Sequence, residues 1–117
     1  MSKKIQVNIS AVLGFLGVAL GAFGAHGLSD TISENMLETY KTGVLYHLIH
    51  AVVLLALALS NHRFVKSFLF IAIGILLFSF SLYIYSVTGI KFLAMVTPVG
   101  GISFLIGWIF IIFESRR

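Results

Sequence analysis

The chain has 117 residues, of which 59% are hydrophobic and only 10% charged. With a mean hydropathy of +1.06, it lies far from a soluble domain, where about a quarter of residues are charged. It contains no cysteine, which excludes disulfides, thiolate catalysis and cysteine-ligated zinc or iron–sulfur centres. The formal net charge of +4 comes from basic residues set in pairs beside apolar runs rather than along one face. That pattern suits anionic lipid headgroups and argues against nucleic acid as a partner.

Four apolar stretches follow one another, at residues 5–25, 43–59, 68–87 and 98–113. A helix needs about 20 residues at 1.5 Å per residue to cross about 30 Å of hydrocarbon. The first and third stretches meet this directly, and the second and fourth do so by recruiting flanks at 39–42 and 114–117. The expected fold is an all-α integral membrane bundle of four transmembrane helices, forming one domain over residues 1–117. Lys3-Lys4 before an apolar run ending in Ala22-Phe23-Gly24-Ala25 has the outline of a secretory signal. The run is longer than the usual 7–15-residue signal core, so it is expected to remain as the first span.

Within that span Gly14, Gly17, Gly21, Gly24 and Gly27 recur every three or four residues. Gly17-x-x-x-Gly21 is the small-xxx-small pattern that lets two helix backbones approach. Gly14, Gly17, Gly21 and Gly24 are therefore expected to pack helices together, within the chain or between two copies of it. The next loop holds Thr31-Ile32-Ser33-Glu34, which fits a capping box with Thr31 as N-cap. Ile32, Met36, Leu37, Tyr40 and Val44 then recur at helical spacing. They predict a short amphipathic helix over 32–42, bending at Gly43 into the second span. Thr97-Pro98 predicts the start of the fourth span, with a hydroxyl cap and proline at the first helical position.

Topology follows from the cations. Four spans put both termini on one side, with Lys3, Lys4, Arg63, Lys66, Arg116 and Arg117, and leave Lys41 and Lys91 on the other. The positive-inside bias makes both termini cytoplasmic in a multi-pass protein.

The polar residues inside the spans carry the chemistry. His47 and His50 share a face of span two, His26 closes span one, and Ser79, Tyr83 and Ser86 form a stripe on span three. With Tyr46 and Thr97 they converge, on this reading, in the outer half of the bundle. Intramembrane ionisable groups are costly and usually face a bundle interior or a wet cavity. The expected ligand-binding residues are accordingly His26, Tyr46, His47, His50, Ser79, Tyr83 and Thr97, and the expected metal ligands are His26 and His50. Each has a plainer explanation. Serine and threonine in membrane helices commonly bond neighbouring backbone, tyrosines Tyr40, Tyr46 and Tyr83 suit the interfacial belt, and a histidine can bond a carbonyl across the bundle. His62 falls in a solvated turn, and Trp108 reads as core or lipid-facing bulk.

The run Gly21-Ala22-Phe23-Gly24-Ala25-His26-Gly27-Leu28, with Thr42-Gly43, Tyr46-His47 and His50-Ala51, resembles the YwdK/YgdD family of small bacterial membrane proteins. Leu77-Phe78-Ser79-Phe80-Ser81-Leu82-Tyr83 and Thr97-Pro98-Val99-Gly100-Gly101 with Gly107-Trp108 complete the likeness over nearly the whole chain. The resemblance implies a four-span inner-membrane protein and supplies no activity. The family pattern has glycine where this chain has Phe80, and it accepts glutamine at the His47 position, which weakens a metal site built on His47.

Three function classes result. The first is binding or transport of a small ligand (a polar solute, a metal or a haem) by the outer cluster. Imidazoles suit zinc, copper, nickel or iron, although no carboxylate or thiolate accompanies them at depth. The second is a structural or accessory subunit that packs through the glycine stripe and holds no ligand. The third, an enzyme, ranks last, because no acid in the spans orients a histidine and no nucleophile motif appears. Ligand binding ranks first on sequence alone, with the lipid bilayer and a homo-oligomer as further partners.

Overall fold

Four helices cross the molecule in antiparallel succession, and a computed structural model describes residues 1–116 of the chain. Helix α1 covers Lys3–Leu28, α2 Glu34–Leu59, α3 Val65–Thr88 and α4 Lys91–Glu114, each long and apolar enough to span a membrane. The first and last described residues and the 60–64 turn occupy one end of the molecule, the terminal end. The 29–33 and 89–90 connections occupy the other. Arg117, one of the cations in the topology argument, lies outside the described residues.

The helices form a flattened row rather than a square bundle. The molecule measures 48 × 25 × 17 Å. Helix α1 packs chiefly on α2, α2 on α3, and α3 on α4, while α1 and α4 make no extended contact. Burial follows this order: the most apolar stretches of α2 and α3 are 39% and 44% buried, whereas those of α1 and α4 are 22% buried. The core runs between the inner pair, with Leu54, Phe68, Ile71 and Ile75 fully enclosed and Leu13, Ala51 and Phe104 closing it.

Two helix boundaries differ from the sequence-based expectation. No separate surface helix exists over 32–42: α2 runs unbroken from Glu34, so that segment is its first turns. Its N-cap is Ser33, whose hydroxyl accepts from the Met36 amide, and not Thr31. Thr31 instead donates its hydroxyl to the Leu28 carbonyl at the end of α1, which also accepts from the Thr31 and Ile32 amides. Helix α4 starts seven residues before the expected Thr97-Pro98, at Lys91, and carries Pro98 in its interior. Proline removes one helical bond there, but nearby hydroxyls and packed helices make it tolerable in a membrane. Thr97 beside it is not a free cap: its hydroxyl lies 3.1 Å from the Leu93 carbonyl and 2.6 Å from Ser81 Oγ on α3. Gly89 ends α3 with φ +70, the left-handed turn that glycine adopts without strain, and its N–H reaches the Tyr85 carbonyl.

Two π turns, at Gly24–Leu28 and Ile75–Ser79, widen their helices by a residue. The second sits in the middle of α3, where the Phe80 amide bonds the Ile75 carbonyl. It marks the level at which α3 exchanges its apolar Phe68–Ile71–Ile75 face for the polar Ser79–Tyr83–Ser86 face.

Helices α3 and α4 approach each other closely. The stripe Gly100, Ser103, Gly107 faces α3. A methyl group on Gly100 would collide with the Phe78 amide nitrogen and the Leu77 carbonyl carbon, and one on Gly107 would lie 2.5 Å from Ile71. Ser103 donates to the Phe70 carbonyl at 2.6 Å. On α1, Gly17 and Gly21 face Leu48 and Val44 of α2, and Gly24 faces the ring of Tyr40. Gly14 departs from its expected packing role, because a methyl group there would meet nothing within 4 Å.

At the terminal end the two outer termini of α3 and α4 are tied. No side chain of its own caps α3. The Glu114 carboxylate, 3% exposed, accepts from the Lys66 amide at 3.1 Å, from the Ser67 amide at 2.8 Å and from the Ser67 hydroxyl. A carboxylate there also meets the positive end of the α3 dipole.

Two stability predictions follow from these contacts. Gly100→Ala should lower the thermal midpoint in detergent by the equivalent of about 1–3 kcal/mol of overpacking, while Gly14→Ala leaves it unchanged or raises it. Glu114→Ala should cost about 1–3 kcal/mol by orphaning buried amides, and more than Ser67→Ala. Equal effects of the two would show that the cap carries no weight.

Candidate functional site

Helix α2 supplies the central column. Tyr40, Gly43, His47 and His50 recur at three- and four-residue steps on its buried face. His47 stands at mid-helix, roughly 20 Å from either end of α2 at about 1.5 Å per residue. His50 is one turn nearer the terminal end. The pair therefore lies about the middle of the span rather than in the expected outer half, because α2 begins at Glu34 and not near Gly43.

His47 joins three helices at zero exposure. Its Nε2 is 2.7 Å from the Leu13 carbonyl of α1, and its Nδ1 is 2.8 Å from the Tyr83 hydroxyl of α3. A carbonyl can only accept, so Nε2 carries the proton and Nδ1 accepts from Tyr83. The Tyr83 ring packs at 5.0 Å on Tyr40, whose hydroxyl donates to the Leu20 carbonyl of α1. Gly43 admits this arrangement: a methyl group there would lie 2.9 Å from the Tyr83 ring and 3.2 Å from the Ser79 carbonyl.

His50 makes the corresponding link to α4. The Trp108 indole N–H, which is only a donor, lies 3.1 Å from His50 Nε2. That ring nitrogen must therefore accept, and Nδ1–H donates to the Tyr46 carbonyl at 2.8 Å. The imidazole stacks on Phe104 with 3.8 Å between centroids and 14° between planes. Tyr46 continues this aromatic layer, 4.7 Å from Phe78 and 6.1 Å from His50.

The seven expected ligand residues thus do not form one recess. His47 and Tyr83 touch each other, and His50 and Tyr46 form a neighbouring aromatic group. Thr97 bonds Ser81 and Leu93 instead of an imidazole. His26 is exposed in the π turn of α1. Since Gly24 faces Tyr40, His26 stands roughly 15 Å along the axis from His50 at the helical rise. The two cannot share a metal ion, and both His50 nitrogens are engaged. Among the described residues no group of three or more histidines or carboxylates could hold a metal. Ser79 is the exception to saturation: its hydroxyl is fully buried and has no hydrogen-bond partner. The grooves on the flanks of α1, about 250 Å³ beside Gly21 and Val44 and 300 Å³ beside Gly14 and Ala51, leave out His47, His50, Ser79 and Tyr83.

Sequence reasoning missed three participants. Tyr40 looks like a belt residue, yet it lies on the His47 face seven residues away, which is its available signal. Trp108 looks like bulk, and only the fold brings its N–H to His50. Glu114 stands beside Arg116 in the sequence at the end of the last span, and only the fold shows its carboxylate buried on the start of α3.

The family model for a protein of unknown function, DUF423, matches residues 20–101. The chain is 42% identical to the UPF0382 membrane protein YwdK of Bacillus subtilis, over 97% of this chain and 98% of that one. It is 40% identical to the UPF0382 inner membrane protein YgdD of Escherichia coli, over 100% of this chain and 93% of that one. A UPF0382 membrane protein of Haemophilus influenzae is 41% identical over 98% and 96% of the two chains. No solved structure matches. Four apolar crossings together with full-length likeness of this kind place the chain in the DUF423 family of UPF0382 membrane proteins.

Proposed function

We propose that the chain is a structural or accessory subunit of the bacterial cytoplasmic membrane, without enzymatic activity, whose intramembrane histidines lock helices together. One observation carries this reading: all four ring nitrogens of His47 and His50 are already bonded to protein atoms from α1, α2, α3 and α4. A metal or haem iron would have to displace one of these bonds in a medium that offers the freed donor nothing. The weakly buried flanks of α1 and α4 leave lateral surface for a second copy or another subunit. Both termini are assigned to the cytoplasm, because Lys3, Lys4, Arg63, Lys66 and Arg116 cluster at the terminal end. The whole chain is taken as one domain.

A second reading, a small polar ligand held within the bundle, has one observation in its favour, the unpartnered Ser79 hydroxyl.

Binding and stability measurements separate these readings. Purified protein titrated with zinc, copper(II) or haem should show no stoichiometric binding that His50→Ala removes; a histidine-dependent stoichiometric complex would overturn the structural role. In the same detergent, Tyr83→Phe should lower stability by about 1–3 kcal/mol, leaving His47 Nδ1 buried without a donor. The His47–Tyr83 coupling in a double-mutant cycle should fall between about 0.6 and 1.7 kcal/mol. Ser79→Ala should be neutral or stabilising under the structural reading, and should abolish solute retention under the other.

A further inference from the structure

Two concavities follow one another along α1 from the terminal end. The first is a cleft of about 470 Å³ whose lining includes Lys3 and Gln6 of α1 and Ser60, Asn61 and Arg63 of the α2–α3 turn. The second is a groove of about 410 Å³ between α1 and α3, lined by Asn8 and by the apolar Ile9, Val12 and Leu13 of α1 and Ala72 and Leu76 of α3. Ile9 lies one turn below Gln6, and Leu76 lies roughly 17 Å below Val65 at the helical rise. The groove exists because α1 packs on α2 and leaves α3 largely uncovered.

The cleft is chemically unfinished. Gln6 is 8% exposed, and its side-chain amide lines the cleft without a hydrogen-bond partner among the described residues; only its backbone groups are bonded. Lys3 and Arg63 are exposed, and neither has a carboxylate partner there, the one ion pair among the described residues being Lys41–Glu38 at the other end. The nearest acid, Glu114, lines the adjoining concavity and is engaged with the start of α3.

We propose that the cleft and groove together hold an anionic glycerophospholipid. The phosphodiester sits between Lys3 and Arg63, the Gln6 amide and Asn61 bond the ester or glycerol oxygens, and one acyl chain lies along Ile9, Val12, Ala72 and Leu76. Charge selects the headgroup, since basic pockets at the ends of transmembrane helices bind anionic lipid heads. The apolar groove directly beneath selects a lipid over free phosphate, which would use the cleft alone. This site is separate from the histidine column and does not depend on the structural role assigned to it.

Native mass spectrometry of the full chain in detergent tests the assignment, titrating dioleoyl phosphatidylglycerol, dioleoyl phosphatidylcholine and inorganic phosphate. Phosphatidylglycerol should bind at least about tenfold more tightly than phosphatidylcholine, since each basic residue near the phosphate is worth roughly a fivefold factor. The double variant Lys3→Gln, Arg63→Gln, altering exposed side chains only, should erase that preference, while Lys91→Gln at the far end should leave it intact. Ala72→Trp, or Val12→Trp where the first disturbs the helix, should weaken both diacyl lipids and keep the preference between them. Equal binding of the two lipids, or a preference that survives the double variant, would overturn the site. So would inorganic phosphate displacing phosphatidylglycerol at comparable concentration with both tryptophan variants silent, which would reassign the cleft to free phosphate.

Discussion

Hydrocarbon offers no hydrogen-bond partner, and the interior of this protein is arranged around that constraint. His47 sits at mid-span with two polar nitrogens that water cannot reach, so each must find a protein atom. It finds the Leu13 carbonyl on one side and the Tyr83 hydroxyl on the other. A side chain that would be a liability in lipid thereby fixes α1 and α3 relative to α2. His50 repeats the device toward α4 through Trp108. Among helices whose apolar faces gain little from leaving lipid for one another, such bonds fix which faces meet.

The flattened arrangement explains why the ties fall where they do. α3 approaches α4 closely enough for Gly100 to touch the α3 backbone, and Ser103 adds a bond to the Phe70 carbonyl. α2 and α4 are too far apart for backbone packing, and large rings fill the distance: Tyr46 and His50 from one side, Phe104 and Trp108 from the other. Small residues and large aromatics thus serve opposite geometries on the same helix. The α1–α3 gap has neither, and it remains a groove.

Much of the scaffold was legible because span length is set by bilayer thickness and by nothing subtler. Residues 5–25 and 68–87 need only be counted. The ends were less legible, for local reasons. Thr97-Pro98 satisfies every rule for a helix start, but in a membrane the lost N–H is tolerable, and Thr97 is already committed to Leu93 and Ser81. Thr31 fits the capping box on paper, but in the fold its hydroxyl turns back to the Leu28 carbonyl and Ser33 meets the Met36 amide. At the site, three-residue spacing revealed that His47 and His50 share a face. It could not show that their partners would be a backbone carbonyl, a tyrosine and a tryptophan, since carbonyls carry no sequence signal and Trp108 is 58 positions from His50. Imidazoles gathered on one face suggest a ligand when read from sequence; in the fold each ring nitrogen of His47 and His50 meets a protein atom instead.

Glu114 carries the same logic to the membrane boundary. A carboxylate at the end of α4 and a helix start without its own cap are each unfavourable near hydrocarbon. Joined, they offset one another, because the Lys66 and Ser67 amides supply what the carboxylate needs. The bond also closes α3 against α4 at the end opposite their two-residue connection at Gly89–Ile90. This helix pair is therefore fastened at both ends and zipped between them, whereas α1 is held by its glycine face, Tyr40 and His47. If one element of the row yields to a lipid or to a neighbouring subunit, it is α1: its contacts lie almost entirely on one helix, and its flank toward α3 is already open.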